Sequence, residues 1–256
     1  MSAGLEVIVV GSGTIASGLG RRQSCVAVRS GDETVAFDLG AGAVRGMMHA
    51  DLDPFALDRI FFTHFHPDHT SDVVPLLFAM QYGSEEPRTR PLHLTGPRPF
   101  LHFWHSISSA WGEWMVGGHA LSVSELPLEC PAPLPVAGFD LTWGPVRHRP
   151  ESIGYRLERG GRVFVYTGDT EYAPSVVELA RGAHTVLIEC SFPDGTPVPG
   201  HLTPSGVARI ASEAGVERVV LSHVYPAAEG IDLVSEVQRG YDGEVILAED
   251  GMTFRV

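Results

Sequence analysis

The sequence predicts an α/β chain of many short strands whose ends carry the chemistry, and three observations lead there. Gly 29 and Pro 19 among 256 residues make the chain rich in turns, which favours short strands and functional loops over a helical bundle. Short β-branched or apolar runs recur, at 5–10, 24–28, 34–37, 59–62, 163–166 and 219–221. Several of them end in a side chain able to bind a metal: Asp38, His64, Asp169 and His223.

Composition bounds the rest. With 44% hydrophobic and 19% charged residues the chain can bury a substantial core, and no shift in composition divides it, so 1–256 reads as a single domain. Cys25, Cys130 and Cys190 are scattered and odd in number, which points to no disulfide framework and no Cys-based zinc motif. The N-terminus lacks a secretory pattern, and no apolar run approaches the roughly 18 residues that span a bilayer. A cytoplasmic protein with no membrane partner is expected. The formal charge is -13, and all 18 basic residues are arginine, so extended contact with nucleic acid is disfavoured. Arg147 with Arg149, or Arg88 with Arg90, could still hold a phosphate.

In chain order, the first strand leads into Gly11-Ser12-Gly13-Thr14-Ile15-Ala16, a loose match to a dinucleotide-binding loop. Such a loop must open a helix, and Gly18 and Gly20 interrupt one here, so the stretch reads as a glycine-rich strand connection. A helix is expected around 43–50, and Ser71-Asp72 can cap another that includes Val73, Leu76, Leu77 and Met80. Residues 92–95 look like a strand. Phe100, Phe103, Trp104, Trp111 and Trp114 fall at helical spacing, which suits core packing or a homodimer contact better than a substrate box. His49, His93, His102, His105, His119 and His184 stand alone and are assigned to no metal.

The densest signal is Thr63-His64-Phe65-His66-Pro67-Asp68-His69-Thr70. Three imidazoles and a carboxylate follow the buried-type run Arg59-Ile60-Phe61-Phe62, and no core needs so many polar ring nitrogens together. These groups suit zinc, manganese or iron. His64 and His66, two apart on an extended chain, project to one side, while Asp68 and His69 follow Pro67 around a turn, so each pair can serve one of two ions. Downstream, His148 precedes Ser152-Ile153-Gly154-Tyr155-Arg156, Thr167-Gly168-Asp169-Thr170 follows a strand, and Leu221-Ser222-His223 ends another.

In this order the motifs resemble the ribonuclease Z branch of the metallo-β-lactamase superfamily, and the similarity runs over nearly the whole chain, including Leu247-Ala248-Glu249-Asp250-Gly251-Met252. The resemblance implies a four-layer αββα sandwich with the metals at one edge of its two sheets. It implies one ion on His64, His66 and His148, a second on Asp68, His69 and His223, and Asp169 bridging, with Asp38 supporting the loop without ligating. Two divalent ions, zinc foremost with manganese or iron also compatible, would share and activate a water, and Asp68 is also a candidate to accept its proton. Glu189, in Ile188-Glu189-Cys190-Ser191-Phe192, and His201, before Leu202-Thr203, resemble the branch's carboxylate and the imidazole it orients to protonate a leaving oxygen. His201 also reads simply as the residue before a helix that Thr203 caps. One departure stands out: where ribonuclease Z inserts a tRNA-clamping arm, only Gly160-Gly161 separates two strands here. The expectation is a dinuclear phosphodiesterase for a small or flexible substrate, a nucleotide or RNA. A hydrolase of lactones, thioesters or β-lactams on the same ions is the alternative, and a non-catalytic metal-binding protein a third reading.

Overall fold

The computed structural model describes residues 4–16, 20–83, 90–115 and 120–256, so Gly18, Arg88 and His119 lie outside the described residues. In chain order the elements are β1 (Glu6–Gly11), β2 (Cys25–Ser30), β3 (Glu33–Phe37), α1 (Ala43–His49), β4 (Arg59–Phe61), α2 (Pro67–Thr70), α3 (Val73–Tyr82), β5 (Leu92–Pro97), α4 (Phe100–Trp111) and β6 (Leu121–Leu126). The second half adds β7 (Leu134–Val136), β8 (Phe139–Pro145), β9 (Ile153–Arg159), β10 (Arg162–Tyr166), α5 (Pro174–Ala180), β11 (Thr185–Glu189), α6 (Pro204–Ala214), β12 (Arg218–Ser222), α7 (Leu233–Gln238), β13 (Glu244–Leu247) and β14 (Met252–Arg255).

Among the described residues the strands form two seven-stranded sheets, ordered β14-β1-β2-β3-β4-β5-β6 and β13-β12-β11-β10-β9-β8-β7. Side-chain alternation explains why they face each other. Val7 and Val9 of β1, Val26 and Val28 of β2, Phe164 and Tyr166 of β10, and Val220 of β12 share one core between the sheets. The intervening Ile8, Val10, Cys25 and Ala27 turn outward to pack with α1, α3 and α4. On the second sheet Val163, Val165, Val219 and Leu221 turn outward to pack with α5, α6 and α7. Strands apolar on both faces need a cover on each, and the result is the αββα sandwich that the resemblance implies. Each fully buried valine or leucine contributes about 1.5–3 kcal/mol to this arrangement.

Within each sheet one block is parallel: β3 to β6 in the first and β10 to β13 in the second. The carboxyl ends of parallel strands form the edge at which such sheets place ligands. Two buried tyrosines lock the sheets together there. The Tyr155 hydroxyl donates to Phe62 O at 2.6 Å, and the Tyr166 hydroxyl donates to Asp38 Oδ2 at 2.8 Å.

Local expectations are met in part. Arg159 pairs with Arg162, and Gly160 (φ 56°) and Gly161 (φ 78°) make the two-residue hairpin turn, whose positive φ at both positions suits glycine. The residues described in 11–16 open no helix. Of the helical aromatics, Phe100 and Trp104 are core, whereas Trp111 is 57% exposed. Asp72 does stand at the N-cap of α3, yet its side chain accepts from Val44 N at 2.9 Å and so caps α1. The reason is its backbone: at φ -80°, ψ -2° it is already helical, not in the extended conformation from which a cap reaches forward. No helix among the described residues is long and apolar enough to cross a membrane.

Candidate metal centre

β4 delivers the histidine loop to the sheet edge. Phe65 points away from the centre and stacks on Phe103 of α4, with ring centroids 4.9 Å apart and planes at 10°, which leaves His64 and His66 facing the other way. Pro67 then opens α2, where its missing N–H costs nothing, and this single turn buries Asp68 and His69. From the second sheet, Asp169 follows β10, His223 follows β12, and His148 follows β8.

All seven candidate ligands expected from the sequence come together. His64, His66, His148 and Asp169 form one group and Asp68, His69 and His223 another, and the candidate ligand atoms of each group lie within 4.8 Å of one another. Asp169 stands between them: Oδ2 is 3.8 Å from His64 Nε2 and 3.7 Å from His148 Nε2, while Oδ1 is 3.2 Å from His69 Nε2 and 3.3 Å from His223 Nε2. Asp68 Oδ2 is 3.4 Å from His223 Nε2. Ligands about 2.0–2.1 Å from a tetrahedral ion would stand roughly 3.3 Å apart, and these separations bracket that edge. His64 Nε2, His69 Nε2, His223 Nε2 and Asp169 Oδ1 are buried without a hydrogen-bond partner. Unpaired buried polar atoms are costly, and a cation among them removes the cost, so the residues fit divalent metal.

The far side of each ring explains its orientation. Asp38, fully buried with φ 58°, accepts from Thr63 N (2.8 Å) at Oδ1, and from Thr63 Oγ1 (2.9 Å), His69 Nδ1 (2.7 Å) and Tyr166 at Oδ2. Thr63 Oγ1 thereby accepts from His64 Nδ1 at 3.0 Å, and His148 Nδ1 donates to Gly200 O at 2.9 Å. Ser191 Oγ lies 3.1 Å from His223 Nδ1 and donates to Glu189. Each contact fixes a proton on Nδ1 and aims Nε2 at the centre. Burial, and then the neighbouring His69, hold the pKa of His64 well below the usual value and keep it a neutral donor. Burial pushes the Asp68 carboxyl up, but the neighbouring imidazoles of His223 and His69 outweigh it and hold it at about 2.

The acid pair expected from the sequence lies beside this cluster. His201 Nδ1 is 3.1 Å from Glu189 Oε2, and Glu189 is fixed by Thr170 N, Ser191 Oγ and Leu202 N. Burial alone would lower the pKa of His201, but the bond to Glu189 and its charge outweigh that and raise it. A ligand atom of His201 also lies within 4.8 Å of those of Asp169 and His223, so its ring borders the metal cluster.

Other expected features lie elsewhere. Arg147, mostly exposed, pairs with Glu171, and Arg90 pairs with Asp58 at 3.3 Å. His49 contacts Arg45 O, and His184 accepts from Val163 N. Sequence reasoning gave no role to Ser191 or Gly200, although Ser191 lies inside a motif that drew attention. It also read the first loop only as a glycine-rich connection, whereas Ile15 N donates from it to Asp68 Oδ2 at 3.1 Å. That loop is held from the far end of the chain, because Asp250 accepts from Ser12 N, Ser12 Oγ and Arg22 N.

Comparison with known proteins agrees with this geometry. Residues 37–224 match a family model described as a beta-lactamase superfamily domain. A ribonuclease Z from Methanothermobacter thermautotrophicus is 26% identical over 98% of this chain and 97% of its own. A probable metallo-hydrolase, YhfI of Bacillus subtilis, is 27% identical over 88% of this chain and 89% of its own. The crystal structure of that metallo-beta-lactamase fold protein superposes with a TM-score of 0.84 at 25% identity, covering 99% of this chain and 100% of the other. Human tRNase Z, short form, superposes at 0.76 with 23% identity over 97% and 98% of the two chains and shares the fold.

Proposed function

We propose that this chain, which belongs to the β-lactamase superfamily and has the fold of its metal-dependent hydrolases, is a dinuclear phosphodiesterase. Two divalent cations, zinc foremost, would be held by His64, His66 and His148 on one side and Asp68, His69 and His223 on the other, with Asp169 shared. When bound, such ions act as Lewis acids and lower the pKa of water. The observation that carries the phosphodiester reading is His201 held by Glu189 at the border of the cluster. An alkoxide leaving from phosphorus near neutral pH needs a proton, and an imidazole whose pKa a carboxylate raises is suited to give it.

The remaining steps belong to the chain's own groups. Glu189 aims His201 and keeps it protonated. Asp68, ionised at neutral pH, is placed to accept a proton from the attacking water. A bond forms from the water oxygen to phosphorus, the bond to the leaving oxygen breaks, and His201 protonates that oxygen. Relatives named ribonuclease Z support a substrate among RNA and nucleotides. The charge of -13 and the two-glycine turn between β9 and β10 favour a small or flexible one.

The test compares His201→Ala on two phosphodiesters, one losing an alkoxide and one losing p-nitrophenolate, with metal content measured alongside. Loss of about a hundredfold to ten-thousandfold is expected on the first and far less on the second, with metal content unchanged. Undiminished turnover of the alkoxide substrate would remove His201 from this role. Turnover confined to lactones or thioesters would replace the phosphodiester reading altogether.

A further inference from the structure

Beside His201 lies a pair of aromatic rings that the hydrolytic chemistry does not use. Phe192 and Tyr225 stack with centroids 4.6 Å apart and planes at 24°. Each ring centre is 5.6 Å from that of His201, and Tyr225 is also 5.6 Å from His223. Both side chains are half-buried. The pair is held rigidly from below. Phe192 N donates to Leu202 O at 3.3 Å, Tyr225 N donates to Ser191 O at 3.3 Å, and the Tyr225 hydroxyl bonds to Thr14. Asp194 accepts from Ser205 N and Ser205 Oγ and so pins the loop after Phe192 to the start of α6.

We infer that Phe192 and Tyr225 are a stacking subsite for a nucleobase carried by the leaving group of the phosphodiester. The inference rests on the phosphodiesterase reading and adds to it which half of the substrate is recognised, and how. The direction follows from His201: the oxygen it protonates leaves, so the group attached to that oxygen lies on the side of the two rings. The ligand class follows from shape and charge. Two stacked rings offer a platform for one more planar ring system, and bases stack on aromatic side chains without needing a particular sequence. A chain with net charge -13 and no lysine gains little affinity from extended phosphate contacts, so apolar stacking must supply it. Because the platform is preorganised, little ordering cost is subtracted from that gain.

The test uses zinc-loaded full-length protein and two diesters, adenosine 5′-(methyl phosphate) and the methyl ester of ribose 5-phosphate, which lacks the base. The expected KM is about tenfold or more lower for the adenosine compound, and its products are adenosine and methyl phosphate. Phe192→Leu and Tyr225→Leu should each erase that advantage, while Phe192→Tyr, which keeps a ring, should retain it. Equal KM values for the two diesters, or AMP and methanol as the main products, would overturn the subsite and leave the phosphodiesterase reading standing. No hydrolysis of either diester would overturn both.

Discussion

The floor of the candidate centre and its rim are built from different material. On the floor, His64, His69, Asp169 and His223 are buried; His64, Asp169 and His223 follow strands, His69 sits in α2, and the outer nitrogens of the three histidines face Asp38, Thr63 and Ser191, themselves buried. On the rim, His66, His148 and His201 are half-buried and come from loops, and the Nδ1 of His148 is tied to the backbone carbonyl of Gly200. The Nδ1 of His66 instead faces His148 Nε2 at 3.0 Å, so these two rim rings meet each other. A floor with fixed tautomers and unpaired lone pairs is prepared for ions before they arrive. A rim on loops can admit substrate and adjust to it. The difference predicts that substitutions on the floor act on metal content and those on the rim act on one ion or on turnover.

The largest effect should come from Asp169, whose two oxygens face four histidines across both groups. Asp169→Asn replaces a shared carboxylate by a weak, neutral donor in the middle of the floor. Zinc content, measured after gel filtration, should fall from two ions per chain toward none. Hydrolysis should drop well beyond the roughly 100-fold that loss of a supporting residue costs. A variant that keeps two ions would show that the floor does not depend on a bridge.

Asp38 is the next test, because it supports the floor without touching the centre. Its carboxylate accepts four donors, one at Oδ1 and three at Oδ2. Asn offers one acceptor oxygen, so Asp38→Asn must set an NH2 group against either Thr63 N–H or the other three donors. Through Thr63 the disturbance reaches His64, and directly it reaches His69. Zinc affinity should fall about 10- to 100-fold for both ions, read by competition with a chelating dye. Loss confined to one ion would mean that Asp38 serves only its direct partner.

Floor and rim were not equally legible in the sequence. His64, His66, Asp68 and His69 declare themselves because four ligand side chains fall in six residues after an apolar strand, a density that packing does not produce. Asp169 and His223 are ambiguous one at a time and become legible through their places after apolar strands and their order after the first motif. The supporting layer was harder to read. Asp38 shows in the sequence as a strand-end carboxylate, but its supporting role entered through resemblance alone. Ser191 acts through a hydroxyl no different from any other, and Ile15 contributes a backbone N–H that every residue but proline carries. The pairing of Ser12 with Asp250 spans almost the entire chain, and no local pattern encodes it. Asp72 misled for a related reason: cap chemistry is visible in sequence, but the helix it serves is decided by tertiary approach.

The smallest of these effects tests the rim by itself. Gly200 has φ +86°, and a Cβ placed there would lie 2.9 Å from His148 Nδ1, the atom that donates to its own carbonyl. Gly200→Ala therefore adds the strain of a left-handed residue, about 1–2 kcal/mol, and pushes the imidazole off its position over Asp169. Gly200 N also donates to Glu171 at 3.0 Å, so the turn has little room to yield. The ion on His64, His66 and His148 should bind about tenfold more weakly, within the range for disturbed supporting contacts. The ion on Asp68, His69 and His223 should keep its affinity, because nothing on the floor moves. Zinc titration of the stripped variant would then resolve one tight and one weakened site. If both sites weaken together, floor and rim respond as one unit and the distinction between them fails.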